Sequence, residues 1–134
     1  AYLAAAANGQ EKAANKQLAN MYLKVAQAAL KGQKYADAYD AAMKSNSFVE
    51  SGNALYFAGM SAQKLGQDAK ANEAFEQFLT VAPNDKKADD IRCTLAVSYQ
   101  KAGNKAKAVE YYQKILTNPK YAEVAKAQIA ALGN

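Results

Sequence analysis

Apolar and small residues recur one helical turn apart along much of this chain, as at Leu95, Ala96, Tyr99 and Ala102, with polar residues between them. That period marks amphipathic helices rather than strands. Three segments, 22–43, 55–79 and 92–116, share one plan, each opening with a helical run that ends at a glycine: Gly32, Gly66 or Gly103. Glycine just past the last periodic residue ends a helix because it enters the left-handed conformation without a Cβ penalty. A second helix then follows, with a small residue early and an aromatic or small residue one turn later: Ala38 with Ala42, Ala71 with Phe75, and Ala108 with Tyr112. Alanine there allows the two helices of a pair to approach closely, and the larger side chain fills the space beyond.

The pairs recur at a fixed spacing. Ala38 and Ala71 are 33 residues apart, and Ala71 and Ala108 are 37 apart. The extra length falls in Asn84-Asp85-Lys86-Lys87, after Pro83, where a longer loop or helix costs little. A helix-turn-helix period of about 34 residues resembles the tetratricopeptide repeat. In the middle segment the resemblance rests on Leu55, Gly59, Gly66, Ala71, Phe75 and Pro83. In the last it rests on Leu95, Ala96, Tyr99, Gly103, Ala108, Tyr112 and Pro119, with the proline one place early. The first segment keeps Val25, Ala26, Tyr35 and Ala38 but has Ala42 for the aromatic, Ser51-Gly52-Asn53 for the proline turn, and a glycine displaced by one residue.

The fold this resemblance implies is all-α: a right-handed α-α superhelix of stacked helix-turn-helix repeats with a C-terminal capping helix. We expect one array over residues 1–134. It comprises an N-terminal helical segment (1–18), a divergent repeat (19–51), two further repeats (52–84 and 89–121) and a cap (122–134) that covers the last apolar face.

Composition supports the class and narrows the function. Of the 134 residues 51% are hydrophobic, yet only 7 are Gly and 2 Pro, and alanine, the best helix former, supplies much of the apolar count. No 18 consecutive residues are apolar, so no membrane span is expected and the protein reads as soluble. Ala1 in place of an initiator Met predicts a piece of a longer protein, and the lone Cys93 excludes an internal disulfide. Cytoplasmic and exported or periplasmic locations both stay open. The formal charge of +5 raises nucleic acid as a partner, but Arg92 is the only arginine and the lysines are interspersed with Asp and Glu. A solvated basic surface is the favoured reading.

Catalysis is disfavoured. There is no histidine, which removes the usual general base and the commonest zinc ligand. Cys93 lies in an amphipathic run and reads as a small core residue, and the pairs Asp37/Asp40, Glu73/Glu76 and Asp89/Asp90 read as solvated faces or helix-start carboxylates. No glycine-rich phosphate loop is present, so we expect no enzyme, no metal and no cofactor.

Binding is left, and in stacked repeats the first helix of each pair lines a concave surface. The positions projected inward are Asn20, Leu23 and Gln27, then Asn53, Tyr56 and Met60, then Asp90, Cys93 and Val97, with Lys31, Lys64 and Lys101 at the helix ends. Apolar anchors with cationic guides suit a peptide bearing acidic side chains. The same lysines stabilise helix C-termini, and the two roles coexist. The carboxylate clamp of some family members is missing, because Leu23, Gln27, Phe57, Asp90 and Thr94 stand in its places. The function expected is a non-catalytic scaffold or adaptor for a protein or peptide. The alternatives are a basic nucleic-acid-binding repeat and a self-assembly module that associates with its own copies.

Overall fold

The computed structural model describes residues 2–133, with side chains from Asn8 onward; Ala1 and Asn134, the outer ends of the expected N-terminal segment and cap, lie outside the described residues. The described residues form seven helices and no strand: α1 (Tyr2–Lys31), α2 (Tyr35–Phe48), α3 (Gly52–Lys64), α4 (Asp68–Val81), α5 (Ala88–Lys101), α6 (Lys105–Lys114) and α7 (Ala122–Gly133). They fall into two compact units, Ala1–Val81 and Ala82–Asn134.

In the first unit the expected N-terminal segment and the first helix of the first repeat are one continuous helix of 30 residues. No proline interrupts the run, and alanine carries the helix past Gly9. Helix α2 packs on α1, α3 on α2, and α4 on α3. Small residues make these approaches close: Ala26, Ala41, Ala42, Ala58 and Ala74 form one buried cluster, with Tyr39, Met43 and Phe57 packed around it. Ser45 of α2, also buried, donates its hydroxyl to the carbonyl of Ala19 on α1 at 2.7 Å. Tyr22 and Phe48 stack with ring centroids 5.9 Å apart.

The sizes within each pair are complementary. A Cβ at Gly59 would lie 2.4 Å from the ring of buried Phe75, so this aromatic requires glycine on the facing helix. One period earlier the same positions hold Ala26 and Ala42, both fully buried. The missing aromatic of the first repeat is thus matched by a residue large enough to take up part of the space.

The three turns share one hydrogen-bond pattern. Lys34, Gln67 and Asn104 donate their backbone N–H groups to Ala29, Ala62 and Tyr99 at 2.8, 2.9 and 2.9 Å, closing a Schellman turn after each first helix. The left-handed residue is Gly66 (φ 73°) in the second turn and Gly103 (φ 83°) in the third. In the first it is Gln33 (φ 60°), not Gly32. The displaced glycine therefore leaves a side-chain-bearing residue in a conformation that costs a non-glycine residue about 1–2 kcal/mol. Gln33→Gly is expected to stabilise the protein by up to about 1 kcal/mol, because glycine's greater freedom in the unfolded chain offsets part of the relief. A higher melting temperature checks this, and an unchanged or lower one would show that Gln33 carries no strain.

In the second unit α5 packs on α6 and α6 on α7. Its core holds Ile91, Leu95, Ala96, Ala108, Tyr111, Tyr112, Ile115 and Ala125. Tyr112 of α6 donates its hydroxyl to Gln100 Oε1 of α5 at 2.8 Å, and Gln100 Nε2 donates to Gln128 Oε1 of α7 at 2.9 Å. One polar chain thus links all three helices. Asn104 caps α6 by accepting the Lys107 N–H at 3.2 Å.

Candidate functional site

In the first unit the inward-projected residues lie on the surfaces of α1 and α3. Leu23, Tyr56 and Met60 are half-buried, whereas Asn20, Gln27, Lys31, Asn53 and Lys64 are exposed. Tyr56 is held on its helix by tilted ring contacts with Phe57 and with Phe78 of α4, at 6.2 and 6.3 Å. Lys31 and Lys64 occupy equivalent places in the last turns of α1 and α3. Charge is one-sided here: α3 contains no acidic residue, and α1 has none after Glu11. A separate cavity of about 310 Å³ is lined by Asn46 and Glu50 at the end of α2, Leu55 of α3, and Gln77, Thr80 and Val81 of α4.

In the second unit Val97 and Lys101 are exposed on α5 and Cys93 is half-buried. Burial, followed by the nearby Asp90 carboxylate, pushes the Cys93 thiol up, which disfavours the nucleophilic thiolate. Asp90 is engaged within the unit. It accepts the Tyr121 hydroxyl hydrogen bond and pairs with Lys120 Nζ at 3.3 Å, so it fastens the connection between α6 and α7 to the start of α5.

Asp89 does the same from its own side of the helix. Its carboxylate accepts from Asn118 Nδ2 at 2.9 Å and from Arg92 Nη1 at 2.7 Å, while Arg92 Nη2 donates to the carbonyl of Pro83 at 2.9 Å. The Asn118 hydrogen bond, with Arg92 adding to it against a desolvation cost, holds this carboxyl below the usual range. These groups border a polar cleft of about 420 Å³ that also includes Asp85, Lys86 and Lys120. Sequence reasoning placed Asp89 and Asp90 at a helix start, which is correct, but missed their partners. Those partners lie about 30 residues downstream, and no local signal connects them. Among the described residues no cluster of three or more His, Cys, Asp or Glu is arranged to hold a metal, and no helix is long and apolar enough to cross a membrane.

Residues 53–85 and 94–120 match the tetratricopeptide repeat model. Among solved structures the fold is similar to that of the type III secretion chaperone SycD of Yersinia enterocolitica. The SycD complex with a peptide of the translocator YopD aligns with a TM-score of 0.65 at 17% identity, covering 85% of this chain and 91% of that one. SycD by itself gives 0.63 at 16% identity, covering 85% and 82%. Its alternative dimer gives 0.62 at 17%, covering 87% and 92%. Identity this low makes the likeness one of fold: an all-α helical repeat. No curated protein matches the sequence.

Proposed function

We propose that this tetratricopeptide-repeat protein is a non-catalytic adaptor that holds a protein segment or peptide on the first helices of its repeats. The observation that carries the reading is the surface of α1 and α3, where half-buried Leu23, Tyr56 and Met60 are accompanied by Lys31 and Lys64 and by no carboxylate of α3 or of α1 beyond Glu11. Apolar anchors would supply affinity at about 25 cal/mol per Å² before association costs. The lysines would favour a segment with acidic side chains. Asn20, Gln27 and Asn53 would hydrogen-bond its backbone or polar groups, and in the second unit Val97 and Lys101 of α5 would offer an apolar and a cationic contact of their own. Asp90, tied to Lys120 and Tyr121, would position the helix rather than grip a ligand. The SycD structure that holds a peptide of YopD is consistent with peptide binding on this fold.

The test is affinity capture from the protein's own cell lysate at two salt concentrations, followed by titration of the retained partner against variants. Met60→Ala and Tyr56→Ala are expected to weaken binding tenfold or more, about 1.4 kcal/mol or more. Unchanged affinity would move the site away from α1 and α3. Retention of nucleic acid alone, and only at low salt, would overturn the reading in favour of a basic nucleic-acid binder.

A further inference from the structure

Helix α1 carries a second apolar surface, on the flank opposite Leu23 and Gln27. Ala14, Leu18, Met21, Val25 and Ala28 alternate at spacings of four and three residues, the seam pattern that packs against another helix. The seam runs for about 21 Å at 1.5 Å per residue. Met21 and Val25 are each 48% exposed, among the most open large apolar side chains of the described residues.

The internal repeat identifies what such a surface receives. Aligned through the equivalent turn residues Gln33 and Gly66, Met21 corresponds to Ala54 and Val25 to Ala58. Both alanines are fully buried, and Ala58 lies in one cluster with Ala41 and Ala42 of α2, the second helix of the preceding pair, which packs on α3. On α1 the same face is uncovered, and it bears larger apolar residues than the covered one.

Charge then selects the occupant. Between Glu11 and Asp37 the chain has five lysines, at 12, 16, 24, 31 and 34, and no acidic residue. Lys24 and Lys31 follow one border of the seam. Pairing with the α1 of a second copy would set five lysines of each chain against one carboxylate, Glu11, a turn before the seam, an excess of like charge that opposes association.

We propose that the seam Ala14–Leu18–Met21–Val25–Ala28 docks an amphipathic helix of a partner protein whose own apolar seam is bordered by acidic residues. The partner helix lies on α1 as α2 lies on α3. This surface shares only Lys31 with the face of α1 and α3 that carries the adaptor reading.

A fluorescein-labelled 21-residue helical peptide with a Leu/Ala seam bordered by glutamates is titrated with the 134-residue chain and followed by anisotropy. Met21→Glu and Val25→Glu are each expected to weaken binding tenfold or more, and Met60→Glu, on the other face, to change it less than twofold. A matched peptide with lysines for the glutamates is expected to bind at least tenfold more weakly. Circular dichroism melts of the variants, together with the milder Met21→Gln, separate lost binding from lost folding. The proposal is overturned by absent binding of the glutamate peptide, by equal binding of both peptides, or by loss confined to Met60→Glu. It is also overturned if the protein alone sediments as a dimer that Val25→Glu returns to monomer, which would make a second copy the occupant.

Discussion

Tyr112→Ala is expected to cost about 3–5 kcal/mol of stability, the range for deleting a large buried aromatic side chain. Tyr112 is 1% exposed, and its ring lies in the core of the second unit, whose other buried residues include Leu95 of α5, Ile115 at the end of α6 and Ala125 of α7. Its hydroxyl is also the first member of the chain through Gln100 to Gln128. Burial and the adjacent Cys93 raise the phenol above its ordinary range, so the hydroxyl keeps its proton and remains a donor at neutral pH. Tyr112→Phe separates the two contributions. It retains the ring and removes the donor to Gln100, at an expected cost of about 1–2 kcal/mol. Urea unfolding followed by circular dichroism measures both. Hydrogen exchange should show the amides of α7 losing protection in Tyr112→Phe, because Gln128 is the α7 end of the network. A phenylalanine variant as unstable as the alanine one would place the energy in the hydroxyl rather than the ring.

Gly59→Ala is the second large effect, and its sign is informative. In an open helix the change would stabilise by about 1 kcal/mol, since alanine is the better helix former. Here the new Cβ would lie 2.4 Å from Phe75 Cε1, and Phe75 is only 3% exposed, so its ring has little room to retreat. Overpacking of this kind costs about 1–3 kcal/mol. The expected result is a net loss of up to about 2 kcal/mol in the native background. In a Phe75→Leu background, where the offending ring atoms are gone, the same substitution should be neutral or stabilising. A double-mutant cycle by thermal or denaturant unfolding reads the coupling directly. Additive effects would show that α3 and α4 do not meet at this pair as closely as the structure places them.

The pair also shows why much of the fold was legible in advance. Gly59, Gly66, Ala71 and Phe75 are each ordinary in a helical protein, but together at a fixed spacing they specify a close approach, a turn, and a filled gap. The helical period also projected Leu23, Tyr56 and Met60 inward from the first helices, and in the structure all three are half-buried. It could not show that α1 runs unbroken for 30 residues, because the expected boundary near residue 18 rested on where the repeat began and not on any breaker residue.

Helix, turn and pairing were determined by the sequence itself, since periodicity, glycine placement and side-chain size act over a few residues or repeat at a regular interval. Only the tertiary structure decided that Gln33 rather than Gly32 takes the left-handed place in the first turn. The turn closes with the Lys34 N–H on the Ala29 carbonyl, and that register puts residue 33, not residue 32, in the left-handed place. Tertiary structure also decided that Asp89 meets Asn118 and that Asp90 meets Tyr121. Polar side chains bond to whichever partner the packed helices bring within about 3 Å, and partners about 30 residues apart leave no local pattern to read. The uncovered flank of α1 belongs with these, because exposure depends on which neighbouring helix is present, whereas hydrophobic pattern reports only that a face is suited to be covered.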